Sequence, residues 1–262
     1  MIILLEVASI LIYLAIFVYT WRNLTAGRTL SNYTVVALII ALLAHGFLCY
    51  KLIDGGQGQN LSLFNIFSMT TWLAMWMVCW NLIKHRAHSL LLVTLPIAAI
   101  SILEATLLNR SNILILEGKP LNLLHIFTGI AAMSILLLSA LQSILVLYLD
   151  RGLKHHPANI HQWLGPLQGM ERYLIQLLTV GFIFMSISLA LVIWLPMELK
   201  SNQAIHKVVL TVASWLVLSV LMFGRYVRGW RGVFAARWSL VGVLLLLTGY
   251  FGSKLVLEYI VS

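Results

Sequence analysis

The sequence predicts an all-α fold, a polytopic membrane bundle of about eight transmembrane helices, organised as a single domain over residues 1–262. Three observations carry this. Hydrophobic residues make up 61% of the chain and charged residues 10%, where soluble domains carry about 25% charged residues. Eight Asp and Glu are too few to solvate a water-exposed fold of this size. Apolar runs of roughly 20 residues, the length that crosses the hydrocarbon layer, recur along the whole chain. Finally, the bases behind the formal charge of +9 fall in short connections between those runs. There they suit anionic headgroups and topology control, not a nucleic acid, so the lipid bilayer is the first partner.

The first run, at about residues 2–21, lacks a basic leader and a small-x-small cleavage site, and reads as a retained helix. Further runs fall at about 33–53, 62–83 and 89–108, each long enough to span. The fifth, at about 122–149, exceeds what one crossing needs and is expected to project beyond the bilayer near Tyr148–Arg151. The loop after it, RGLKHHPANIHQWLGPLQGMER, carries His155, His156 and His161. With no carboxylate or Cys pattern to complete a metal site, these read as solvated loop histidines. Three more runs follow, at about 173–195, 205–224 and 234–257. Cys49 and Cys79 lie inside apolar runs, far apart, and read as small buried residues.

The stretch Met222–Leu255 sets the orientation. It opens with Arg225, Arg228, Arg231 and Arg237, interleaved with Gly224, Gly229, Gly232, Trp230 and Trp238, and continues into an apolar run that breaks at GYFGSK, residues 249–254. Arginines beside a span are retained on the cytoplasmic side, and Trp prefers the headgroup layer. The same side collects Arg22, Arg28, Lys84, Arg86, Arg151, Lys154 and Arg172, giving eleven bases. The opposite side has six: Lys51, Arg110, Lys119, Lys200, Lys207 and Lys254. This bias, with an even number of spans, places both termini outside the cytoplasm.

Ionisable groups at membrane depth are costly, so each is a functional hypothesis. His45 falls within the second run and His125 opens the fifth. In an apolar setting each imidazole is neutral, the form that ligates a metal or haem iron, though a hydrogen bond to a neighbouring helix is the plainer role. Glu6 and Glu104 are expected near the ends of their helices, within reach of water, and His206 and Lys207 begin the seventh run. Trp72, Trp76 and Trp80 recur at four-residue spacing as one aromatic stripe, expected to face lipid or the core. The loops hold neither the paired carboxylates nor the Ser/His/Asp set of a hydrolase, and an enzymatic role is not indicated.

Five stretches carry a resemblance across nearly the whole chain: GQNLSLFNIFSMTTWL at 58–73, LLHIFTGIAAMSILLLSALQSILVLYL at 123–149, MERYLIQLLTVGFIFMSISLAL at 170–191, SWLVLSVLMFGRYVRGWRG at 214–232 and YFGSKLV at 250–256. In these the chain resembles the cytochrome c assembly membrane proteins, the CcsA and CcmC haem-handling superfamily, and in particular its YpjD-like inner-membrane branch. The resemblance implies a multi-span inner-membrane protein that holds haem with paired histidines and presents it to an apocytochrome. It aligns His45 and His125 with the family's histidines, and so makes them the candidate haem ligands. The family's Trp-rich loop would fall at about 194–207, where this chain has WLPMELKSNQAIHK, and the histidine expected before the GWRG turn is replaced near Gly224-Arg225. Each family pair thus keeps one histidine at most. The expected function is haem binding or delivery in cytochrome c biogenesis. The alternative is a non-catalytic partner or scaffold, engaging another membrane protein, that kept the fold without the haem.

Overall fold

The computed structural model describes all residues except 1, 29, 55–57, 86–87, 109–110, 156–163, 195–204 and 261–262. Eight helices are long and apolar enough to cross a membrane, as the sequence predicts. They are α1 (Ile2–Thr25), α2 (Asn32–Ile53), α3 (Leu63–His85), α4 (Ser89–Leu107), α5 (Pro120–His155), α6 (Leu167–Trp194), α7 (Ile205–Arg228) and α8 (Gly232–Leu247). The last continues through a π-helical turn (Thr248–Gly252), one α turn (Ser253–Leu255) and a second π-helical turn (Val256–Ile260). The 36 residues of α5 make a rod of about 54 Å at 1.5 Å per residue. That is well beyond the ~30 Å hydrocarbon layer, and the helix runs past Arg151 to His155 as the sequence suggests.

The described chain falls into two compact units. The first comprises Met1–Ile115 and Gly152–Pro166. Here α1 packs on α2 and α4, and α3 packs on the same two helices, which closes a four-helix ring. Lipid tails are as apolar as the side chains, so helices in a bilayer are joined by close packing and by polar contacts between helices. Each seam of the ring has one. Tyr13 reaches His45 from α1 to α2, and the Trp72 indole on α3 donates to the Leu42 carbonyl on α2 at 2.8 Å. Thr71 and Ser101 join α3 to α4 at 2.6 Å, and Thr106 on α4 donates to the Glu6 carboxylate on α1. Outside the helices, β1 (Gln59–Asn60) pairs antiparallel with β2 (Ile113–Leu114), with Gln59 opposite Leu114.

The second unit comprises Leu116–Arg151 and Leu167–Ser262. Gln142 on α5 donates to the Met170 carbonyl at the start of α6 at 3.1 Å. On α7, Trp215 donates to Ser186 of α6 at 2.9 Å and stacks on Phe182 with centroids 5.9 Å apart. Helix α7 packs against α8 and its π-helical continuation at two glycines one heptad apart, Gly242 and Gly249. A Cβ at Gly242 would lie 2.7 Å from Leu218 Cδ2, and one at Gly249 would lie 2.9 Å from Leu210 Cβ. Small residues at such a seam let the backbones meet.

The structure refines the arginine stretch. Arg225 and Arg228 belong to the last turn of α7, so the connection is only three residues long. Gly229, at φ 70°, takes the left-handed conformation that ends a helix and that glycine adopts at no steric cost. The chain then folds back so that Trp230 lies flat on Gly224. A Cβ there would be 2.1 Å from Trp230 Cε3. Trp230 N donates to the Gly224 carbonyl at 3.2 Å, and Arg225 Nη1 donates to the Trp230 carbonyl at 3.2 Å. Trp230, Phe234 and Trp238 form one aromatic cluster.

Candidate functional site

The two histidines singled out from the sequence fall in different units and have different surroundings. His45 lies in the interior of the first unit, fully buried, with both ring nitrogens engaged. Nδ1 is 3.2 Å from the Tyr13 hydroxyl and Nε2 is 2.9 Å from the Ser68 hydroxyl. Ser68 continues to Cys49 Sγ at 3.6 Å. The result is a closed polar chain across α1, α2 and α3. Beside it, Gly46 leaves room for the Trp72 ring, whose Cζ2 a Cβ would meet at 2.8 Å.

His125 sits in the second turn of α5 and is half-buried. Its Nδ1 is 3.0 Å from the Ser188 carbonyl oxygen of α6 and 3.2 Å from the Ser188 hydroxyl. A carbonyl oxygen only accepts, so in the neutral ring Nδ1 carries the proton and Nε2 the lone pair. An Nδ1–H bond to a backbone carbonyl is the outer-shell contact that fixes a ligating imidazole. Nε2 meets no hydrogen-bond partner among the described residues. Gly129, one helical turn after His125, admits the serine, since a Cβ there would be 3.2 Å from Ser188 Oγ. The serine hydroxyl in turn donates to the His125 carbonyl at 3.4 Å.

The same end of the second unit gathers charge. Lys207, in the first turn of α7, places its ammonium 4.7 Å from the centroid of the Tyr250 ring. It lies within electrostatic reach of His125. Lys254 Nζ is 3.1 Å from Glu258 Oε1, one turn on. Tyr250 and Glu258 lie in the two π-helical turns and Lys254 in the α turn between them. The break at GYFGSK lies at this place in the sequence, but sequence reasoning missed the Lys254–Glu258 pair, whose four-residue spacing is the signal that could have found it. Ser188 had no signal at all.

The remaining polar residues resolve as follows. Glu6 is buried and held by Thr106, so it ties α1 to α4 where the sequence suggested contact with water. Glu104 is half-buried and His206 exposed. The tryptophan stripe divides: Trp72 packs into the ring and meets Trp76 edge to face at 6.5 Å, while Trp80 is exposed. Cys49 and Cys79 are free and buried. His155 ends α5, exposed. His156, His161 and most of the loop that replaces the Trp-rich segment lie outside the described residues. No group of three or more His, Cys, Asp or Glu that could hold a metal ion occurs among the described residues.

The chain is similar to the inner membrane protein YpjD of Escherichia coli strain K12, with 29% identity over 228 residues that cover 86% of this chain and 87% of that one. The YpjD proteins of the O6:H1 and O157:H7 strains match to the same extent. An uncharacterised 28.8 kDa protein of Azospirillum brasilense is 29% identical over 142 residues, 53% of this chain and 52% of its own. No solved structure matches. The family model described as cytochrome C assembly protein matches residues 30–261, and with seven of the eight spans inside that match the chain belongs to the cytochrome c assembly protein family.

Proposed function

We propose that this inner-membrane protein binds haem, which His125 Nε2 would hold through its iron, and hands it on during cytochrome c biogenesis. The observation that carries this reading is the hydrogen bond from His125 Nδ1 to the Ser188 carbonyl. It holds the imidazole in the tautomer whose other nitrogen can ligate iron, and that nitrogen is left without a described partner. His45 has both nitrogens in hydrogen bonds, so in this reading it ties helices together and is not a ligand. Haem, when bound, supplies the iron chemistry. The protein supplies ligation, orientation and a water-poor setting. The excess of bases on the opposite loops supports an orientation with both termini and His125 on the extracytoplasmic side, where an apocytochrome would receive the group.

The test is a haemin titration of the purified chain followed by absorption spectroscopy. The wild type is expected to give a Soret band, which His125→Ala abolishes or shifts while the protein stays folded. Added imidazole is expected to restore part of it by filling the space left at the iron. His155→Ala and His156→Ala should leave the band unchanged. Reporter fusions after Ser262 are expected to read extracytoplasmic, and fusions near Lys154 cytoplasmic. A wild type that purifies colourless from haem-replete cells and takes up no haemin would favour the partner-protein reading.

A further inference from the structure

We propose that Lys207 and Lys254 form a binding site for an anionic oxygen group, carboxylate or phosphate, carried by an amphiphilic ligand. The carboxylate case rests on the haem reading above and assigns the haem propionates to this cluster. The phosphate case is an acidic phospholipid.

Three observations converge on these lysines. The first is charge. Lys207 lies in the first turn of a spanning helix, at the positive end of its dipole. Its ammonium faces the Tyr250 ring, which attracts a cation without neutralising it, and it meets no carboxylate among the described residues. Lys254 is close enough to repel it. The one described carboxylate of the cluster, Glu258, is paired with Lys254. Lys207 thus adds a second ammonium beside the Lys254–Glu258 pair, with a helix N-terminus adding to the positive side. A cation in the first turn of a spanning helix is costly to desolvate, and an incoming anion lowers that cost.

The second observation is the backbone. Tyr250 and Glu258 lie in π-helical turns, a rare geometry frequently found at functional sites. Gly249 brings this segment against the start of α7: a Cβ there would lie 3.5 Å from the Lys207 carbonyl oxygen. The seam is thus built to hold Tyr250 beneath Lys207. The third is the neighbour. His125, the ligand in the haem reading, lies within electrostatic reach of Lys207, so a cation and an imidazole with one unpartnered nitrogen among the described residues share one end of one unit. A molecule that carries both a metal and a carboxylate would use both.

The experiment compares haemin with its dimethyl ester, in which the propionate charges are removed. Full-length protein in phosphatidylcholine nanodiscs is titrated with each. The wild type is expected to bind haemin at least about tenfold more tightly than the diester. Lys207→Gln should bring the two within about twofold with an unchanged ligation spectrum, and Lys207→Arg should keep the preference. If Lys207→Gln fails to fold, Lys254→Gln carries the same test. It leaves the Glu258 carboxylate facing the ligand and should weaken haemin more than the diester. In a second arm, native mass spectrometry measures retention of phosphatidylglycerol over phosphatidylcholine, which Lys207→Gln should lower several-fold if phosphate is the group held. Loss of either preference in the lysine variants supports the anion site. If neither porphyrin binds the wild type but phosphatidylglycerol retention depends on Lys207, the site stands and the haem reading falls. Haemin binding that ignores both esterification and Lys207, with lipid retention unaffected, overturns the anion site and leaves the haem reading in place. No porphyrin binding together with Lys207-independent lipid retention removes both.

Discussion

His45 and His125 are both histidines inside spans, yet the first is a knot and the second an open end. His45 has no exposed surface, and its two nitrogens join α1 and α3 to α2 through Tyr13 and Ser68. His125 uses one nitrogen on a backbone carbonyl of α6 and presents the other without a described partner. The difference shows how little residue type and hydropathy say about role in a membrane bundle. In lipid an imidazole must satisfy both nitrogens internally or keep one for a ligand. Which choice is made depends on the helices around it.

The comparison can be broken most directly at His45. His45→Ala removes two hydrogen bonds, takes the imidazole partner from the Tyr13 hydroxyl, leaves Ser68 only its contact with Cys49, and opens a cavity. It is expected to destabilise the protein by about 3–5 kcal/mol, read as a fall in thermal unfolding temperature in detergent. A loss under about 1 kcal/mol would show that the knot is not structural. Gly46→Ala forces the Trp72 ring to move and is expected to cost about 1–3 kcal/mol, with a change in the fluorescence of Trp72 as a second readout. Tyr13→Phe removes one hydroxyl from the chain and should cost about 0.5–1.5 kcal/mol. His125→Ala marks the other end of the scale. Its stability change is expected to stay below about 1 kcal/mol, because the side chain is half-buried and makes one contact set, while haemin binding is lost. A large stability loss at His125, or haemin binding lost equally at His45, would erase the distinction between the two histidines.

Much of the architecture was legible before any coordinates. The eight runs follow from bilayer thickness, and the length of the fifth run already indicated a helix longer than one crossing, with its far end near Tyr148–Arg151. The ends were less legible. The helix of Arg225 and Arg228 was expected to stop near residue 224 but runs to Arg228, because basic residues at a helix C-terminus suit the dipole and glycine ends the helix only at Gly229. The seat of Trp230 on Gly224 could not be read, since it depends on the chain folding back across a three-residue connection. Glu6 near the end of α1 looked like a group reaching water. The hydroxyl that holds it, Thr106, is 100 residues away.

By itself the sequence determined the class, the number of spans, the asymmetry of the bases and the resemblance to the cytochrome c assembly family. Those properties are sums over stretches of chain, and bilayer thickness and charge bias act on such sums. Only the tertiary structure decided what each buried polar group does. The partners of His45 lie 32 and 23 residues away, that of His125 lies 63 residues away, and Tyr250 meets Lys207 from another helix. A hydrogen bond or a cation–ring contact is decided within a few ångströms, and which groups come that close is set by helix packing, which hydropathy along the chain does not encode.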